Sequence, residues 1–334
     1  KLGNKLILGN AIFRSDGIED LEENTISNTR SIQEWNEYIQ KYDTLKIQTE
    51  FKDNFGTSNI NRIKAFFSYI TSSNNHQKFI NEGQSFINLF KNEVMTIINR
   101  RSRKKFIDNN FETKLNDELF VYFPLHYEPE RVLLIGNPYY TNQFELILSI
   151  AKSLPIDYIL YAKDHPAMSI AGWRDKSEYI KIMDLPNVKL IHPSINSGKI
   201  IEKSKLVISI GGTSGFEASF YEKPTIIFED AYYANLPFVH KIKNIEELPD
   251  TIRIALKSKV DSGNLSKSIN SLVENSIDLN WNNLRLQPWY RFYYGGFLTN
   301  VEISSGKMQK YLDDYKNEFK EIAKLYMKKI SVSV

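Results

Sequence analysis

From Glu118 onward the sequence changes period repeatedly, with short apolar runs giving way to stretches in which apolar residues recur three and four apart. "FVYF", "IDYILYA", "NVKLI", "LVISI" and "PTIIFE" read as strands, whereas "FELILSIAKSL", "SGKIIEKSK", "TSGFEASFYE" and "NIEELPDTIRIALKS" read as helices. Buried strands joined by helical segments of about 10 to 15 residues require parallel pairing and right-handed crossovers, because each returning helix must cover the sheet. The expected fold is therefore α/β, with a doubly wound, Rossmann-like parallel sheet over residues 117–285.

The flanks have a different texture. Residues 1–116 carry polar-aromatic segments at helical spacing, such as "NRIKAFFSYI" and "GQSFINLFKNEVMTIINRR", and few strand signals. They predict a mainly helical N-terminal lobe. Over residues 286–334, "MQKYLDDYKNEFKEIAKLYMKKI" puts Met308, Tyr311, Tyr315, Phe319, Ile322 and Tyr326 on one face. This predicts a helix packing back on the body, with attachment to a membrane surface as the alternative.

Composition narrows the function classes. A chain of 334 residues can hold two lobes, and 42% apolar with 25% charged residues is a globular balance. The formal net charge of +3 (43 − 40) does not fit a nucleic-acid binder, although Arg100 to Lys105, "RRSRKK", forms a local basic run. That run reads as a solvated helix end, or alternatively as a contact for anionic lipid or glycan. With no cysteine, disulfides and thiolate metal sites are excluded. No apolar run of membrane-spanning length and no signal peptide is visible, so a cytoplasmic protein is expected, with at most peripheral membrane contact. The chain starts at Lys1 without a methionine, and the N-terminal lobe is expected to be truncated.

In an open parallel sheet ligands bind beyond the carboxyl ends of the strands. Four such ends run into polar loops: "PLHYEPE", "KDHP", "HPSINS" and "GGTSG". Gly211 and Gly212 let the backbone approach a ligand, while Thr213 and Ser214 add hydroxyls beside the first amides of a helix, a setting that favours phosphate without a metal. Ser214 to Glu217 also spells S-x-x-E, the helix capping box, and Glu217 could instead accept hydrogen bonds from ribose hydroxyls. Lys163 and His165 form a second candidate pair for a phosphate leaving group, with Pro166 keeping His165 out of a helix. His192 is followed by proline as well; of the two His-Pro pairs one would be the site and the other a loop turn, and His165 is favoured as the site because Lys163 adds charge. His240 reads as structural and His76 as a surface residue. The doubly wound region has no D-x-D pair at a strand end, in keeping with metal-independent chemistry and no cofactor.

Taken in order, "FPLHYEPE", "YAKDHP", "LPNVKLIHPS", "ISIGGTSGFEASFYEKPTIIF" and "YYANLPFVHKI" resemble the capsule polysaccharide biosynthesis family. The resemblance implies a GT-B-like glycosyltransferase that takes a nucleotide-sugar donor, with cytidine nucleotides and CMP-activated Kdo, a 3-deoxy-ulosonic acid, prominent among its relatives. It implies that Lys163, His165, Gly212, Thr213 and Ser214 meet the donor phosphate and that Glu217 lies near the ribose. The acceptor would be a polysaccharide or glycolipid, and other capsule-synthesis proteins would be partners. Familiar members carry Gln where this chain has His126 or Glu128, so that loop is expected to meet the donor sugar or the acceptor. The base that deprotonates the acceptor is sought upstream of Lys1, with Glu128 and Glu130 as the visible alternatives. A nucleotide-sugar epimerase of the same two-lobed fold, and a catalytically silent scaffold of capsule assembly, are the rival readings.

Overall fold

The computed structural model describes residues 5–7, 31–40, 67, 86–128, 133–134, 138–165, 168, 173–231, 233–274, 276–278, 281–293 and 302–332. The chain groups into two compact units, one of Leu8–Glu37 and Asn92–Glu274, the other of Lys1–Ile7, Tyr38–Lys91 and Asn275–Val334.

The first unit holds six strands: β1 (Phe120–Pro124), β2 (Ile159–Lys163), β3 (Val188–Ile191), β4 (Leu206–Ser209), β5 (Thr225–Ile227) and β6 (Val239–Lys241). All pairings are parallel, in the spatial order β3-β2-β1-β4-β5-β6. Tyr122 of β1 stands opposite Tyr161 of β2 on one side and Val207 of β4 on the other. The chain builds outward from β1 to β3 and returns to the far side of β1 to place β4. Connections therefore leave in opposite directions between β1 and β4, which opens a crevice at their carboxyl ends.

Six helices accompany the sheet: α1 (Gln143–Ser153), α2 (Lys176–Met183), α3 (Ser197–Lys203), α4 (Thr213–Ser219), α5 (Leu248–Lys257) and α6 (Ser262–Glu274). Strand side chains alternate between faces. Val121, Phe123, Leu160, Ala162, Leu206 and Ile208 pack with Leu146, Ile147 and Ile150 of α1, Tyr179 and Ile182 of α2, and Ile252 of α5. On the opposite face Phe120, Tyr122, Tyr161 and Val207 meet Ile200 and Ile201 of α3 and Ala218 of α4. Both faces are dry, which is why the strands read as continuous apolar runs. Local signals start the helices: Asn142 accepts from the Glu145 amide, Asp175 from that of Ser177 and Asn196 from that of Lys199.

The described elements match the strand and helix runs read between Phe120 and Lys257, and add two. Helix α2 follows its Asp175 cap. Strand β6, "VHK", lies at the sheet edge and is too short and polar to show an alternating pattern. The Arg100 to Lys105 run belongs to a long helix, Phe86–Asn110, whose Ile107, with nearby Phe111, enters the core.

In the second unit Lys5–Ile7 pairs antiparallel with Ser276–Asp278. The C-terminal segment is two helices, Ser305–Asp314 and Lys316–Val332, where the spacing predicted one. The break falls at Tyr315, which is buried with Tyr311 against Leu284 and Phe292, while Met308, Phe319 and Ile322 cover the cluster and Tyr326 is exposed. The sequence segments "NRIKAFFSYI", apart from Phe67, and the positions of Glu130, Pro166 and His76 lie outside the described residues.

Candidate functional site

The crevice between β1 and β4 is closed at its floor by contact between two loops. A Cβ on Gly212 would lie 3.1 Å from Cε1 of His126 and 3.2 Å from Oγ of Ser209. A side chain at 212 would therefore require the His126 ring to give way by a few tenths of an ångström. Gly211 has the same relation to Glu229, whose carboxylate oxygen would lie 2.6 Å from an added Cβ. The turn is fixed from both ends: the Gly212 amide donates to Ser209 Oγ at 3.0 Å, and Tyr233 Oη donates to the Gly212 carbonyl at 2.6 Å. Burial, with Glu217 and Glu229 nearby, pushes the Tyr233 hydroxyl above the ordinary phenol range, so it stays a donor.

Helix α4 begins at Thr213 with Gly212 as its cap and no side-chain cap hydrogen bond. The S-x-x-E box at Ser214 is therefore not formed. Instead Thr213 Oγ1 donates to Glu217 Oε1 at 3.2 Å, leaving Thr213 exposed and Ser214 and Glu217 half-buried on the first two turns.

The loop after β2 behaves differently from its neighbour. Lys163 is only 2% exposed, and its ammonium donates to the Ile195 carbonyl at 2.6 Å and to Ser197 Oγ at 2.9 Å. It braces the loop between β3 and α3. His165 is exposed, with its ring 6.2 Å from that of Tyr127 and its carbonyl accepting from the Met168 amide. The strand bearing Lys163 is not adjacent to the one leading into "GGTSG": β1 stands between them, so the residue that touches the glycine turn is His126. His192 is held by Ser194 and by Asp108 of the long helix, and burial pushes His240 below the ordinary imidazole range.

Beneath both loops lies a group that the sequence motifs did not reveal. Arg174 is 6% exposed, and its guanidinium donates to Asp164 Oδ1 at 3.0 Å, Glu128 Oε1 at 2.7 Å and the His126 carbonyl at 2.6 Å. Tyr179 also donates to Asp164, and its hydroxyl accepts from the Arg174 amide. Gln143 accepts from the His126 amide at 2.7 Å and donates to Glu128. Burial alone would weaken the charge on Arg174, but Asp164 and Glu128 beside it more than reverse that effect and it stays protonated. Glu128, read from sequence as a candidate base, is thus an ion-pair partner of Arg174. The Asp175 cap in "RDKSEY" marks the start of α2, yet nothing in the sequence pairs Arg174 with a carboxylate ten residues earlier.

Among the described residues no cluster of three or more histidine and acidic side chains is placed to hold a metal ion, and no helix is long and apolar enough to cross a membrane. Two cavities, of about 500 and 480 Å³, open beside Arg174 and away from the glycine turn.

The fold and crevice define a doubly wound α/β protein with a polar site at its topological switch point. The model of the capsule polysaccharide biosynthesis protein family matches residues 8–237, and the chain belongs to that family. The match begins far upstream of "FPLHYEPE". No curated protein matches the chain in sequence. Among solved structures, similarity is found to a β-Kdo 2,7-transferase, KpsC, of Thermosulfurimonas dismutans at 18% identity, covering 59% of this chain and 57% of that one, with a TM-score of 0.34. A β-Kdo 2,4-transferase of the same organism gives 17%, 52%, 54% and 0.33. A UDP-GlcNAc 2-epimerase of Methanocaldococcus jannaschii gives 16%, 52%, 50% and 0.34. The chain spans about half the length of these solved structures.

The Arg174 network predicts a specific stability pattern. Arg174→Ala is expected to cost about 3–5 kcal/mol in urea denaturation, because Asp164 is left buried without its cation. The double change Arg174→Met with Asp164→Leu should recover part of that loss, the remainder reflecting the bonds that Tyr179 Oη and the His126 carbonyl lose. Arg174→Lys should not, since an ammonium cannot span Asp164, Glu128 and the His126 carbonyl together.

Proposed function

We propose that the protein is a glycosyltransferase of surface polysaccharide synthesis, binding a nucleotide-sugar in the crevice between β1 and β4. The observation that carries this reading is the seating of His126 on Gly212 at the switch point, in a chain of the capsule polysaccharide biosynthesis family. The loop amides and hydroxyls of Thr213 and Ser214 would receive the phosphate, and Glu217, half-buried one turn on, would face the ribose. The donor we favour is a CMP-activated 3-deoxy-ulosonic acid such as Kdo, on the resemblance of the ordered sequence blocks. A glycan or lipid-linked acceptor would supply the attacking hydroxyl.

In this scheme the acceptor oxygen bonds to the anomeric carbon as the bond from that carbon to the phosphate oxygen breaks. The electron pair leaves on CMP, and the hydroxyl proton passes to a base. Exposed His165 is assigned to the departing phosphate, where a charge-assisted hydrogen bond would stabilise the developing charge. Lys163 supports the site from below by fixing Ile195 and Ser197, and its buried positive charge lies at the same strand ends. Glu128 and the His126 backbone are positioning groups, locked by Arg174.

A thermal-shift panel of CMP, CDP, UDP and GDP tests the donor. CMP at 100 times its dissociation constant should stabilise the protein by about 2.7 kcal/mol, and a response to UDP alone would replace the cytidine assignment. His165→Ala should reduce turnover by about 10²-fold with CMP binding largely retained, read as CMP released and as one sugar mass gained by the glycan. Conversion of donor without an acceptor would point to an epimerase. The scheme uses no metal, so EDTA should leave the rate unchanged; loss of activity restored by Mg²⁺ would overturn that part.

A further inference from the structure

The 125–128 loop has two sides. The His126 ring covers Gly212 on one, while the His126 carbonyl and Glu128 meet Arg174 on the other. Next to Arg174 lies the cavity of about 500 Å³, within the range of small-molecule sites, and Glu128, Thr141, Met168, Trp173 and Glu178 contribute to its lining. The adjoining cavity of about 480 Å³ shares Glu128, Thr141, Arg174 and Glu178 with it, so the same residues serve a cleft longer than one sugar ring.

The charges in this cleft decide its ligand. Arg174 is engaged by Asp164, Glu128 and the His126 carbonyl, and Arg103, also on the lining, donates to Asp175 and to the Trp173 carbonyl. On the linings of the two cavities the cations Arg103, Arg174 and Lys181 stand against the carboxylates Glu128, Glu145, Asp175 and Glu178, and buried Asp164 adds a further negative charge behind Arg174. The Glu178 carboxylate comes no nearer to Arg174 than 3.9 Å, beyond hydrogen-bonding distance, and keeps capacity to accept. Burial, and then Glu128, Asp175 and Asp164 acting against Arg174, raise its pKa above the ordinary carboxylate value. A ligand bearing phosphate or carboxylate would meet uncompensated negative charge. A hydroxyl-rich one would find carboxylates that accept its hydrogen bonds and the half-buried indole of Trp173 as an apolar wall.

We propose that this cleft binds a neutral, hydroxyl-rich sugar, as the acceptor end of a glycan. Its role as an acceptor site rests on the glycosyltransferase reading, whereas its ligand class rests on the cleft alone. The acceptor and the nucleotide would then lie on opposite sides of one loop.

The test is saturation-transfer NMR on the full chain with methyl glycosides of galactose, glucose and N-acetylglucosamine, and with free Kdo as the anionic comparison. Binding of at least one neutral glycoside is expected, in preference to Kdo. Glu178→Gln, at an exposed position, should weaken it about tenfold, the low end of the worth of one hydrogen bond to a charged group, and Trp173→Ala should weaken it further. CMP binding, measured in parallel, should be unchanged in Glu178→Gln. Absence of neutral-glycoside binding, preference for Kdo, or equal affinity in wild type and Glu178→Gln would each overturn the proposal. Glycoside binding that follows this pattern without any nucleotide binding would uphold the cleft and remove the donor assignment instead.

Discussion

A single buried guanidinium ties together the loops that follow two neighbouring strands. Arg174 reaches the loop after β1 through Glu128 and the His126 carbonyl, and the loop after β2 through Asp164. Removing a charge from water is costly, and here the cost is offset only because each guanidinium edge finds an oxygen and Tyr179 and Gln143 complete the acceptors. Such a network tolerates few alternative arrangements. It ties Glu128, the His126 carbonyl and Asp164 to one side chain.

The glycine turn is rigid for a different reason. Gly211 and Gly212 let Glu229 and His126 pack close to the turn, where a Cβ would oblige both side chains to shift. Tyr233, arriving from the segment after β5, ties the Gly212 carbonyl from behind. Parts of three strand ends, β1, β4 and β5, therefore meet at one peptide. The β1-to-β4 reversal creates the crevice, and the side chains at 126, 229 and 233 set its shape.

How much of this could be read from the chain follows from range of interaction. The strands and helices from Phe120 to Lys257 were legible because both sheet faces are buried, so each strand had to be apolar along its whole length. Strand β6 was not, because an edge position asks less of "VHK". The sharp turn at "GGTSG" was legible from local chemistry, whereas helix α2 behind its Asp175 cap was not read. Arg174 was invisible: its partners lie at positions 126, 128 and 164, and a single arginine before a helix resembles any solvated one. The same holds for Lys163, whose sequence setting suggests a ligand contact but whose ammonium is turned to Ile195 and Ser197. Strand order decides the matter of neighbours, placing β1 between the His165 loop and the glycine turn.

That order also bears on how a transferase built this way would keep its substrates apart. A donor nucleotide is anionic and is best met by amides, hydroxyls and histidine; a neutral sugar is best met by carboxylates, which would repel the donor. Both surfaces are needed within reach of one reacting bond, yet each disfavours the other's ligand. The 125–128 loop separates them by a few backbone atoms, presenting an imidazole to the glycine turn and a paired glutamate to the cleft. Because Arg174 neutralises part of the acidic side while holding the loop, the same residue that fixes the wall also limits how far the negative field reaches across it. Separation of charge, more than distance, is what the architecture supplies.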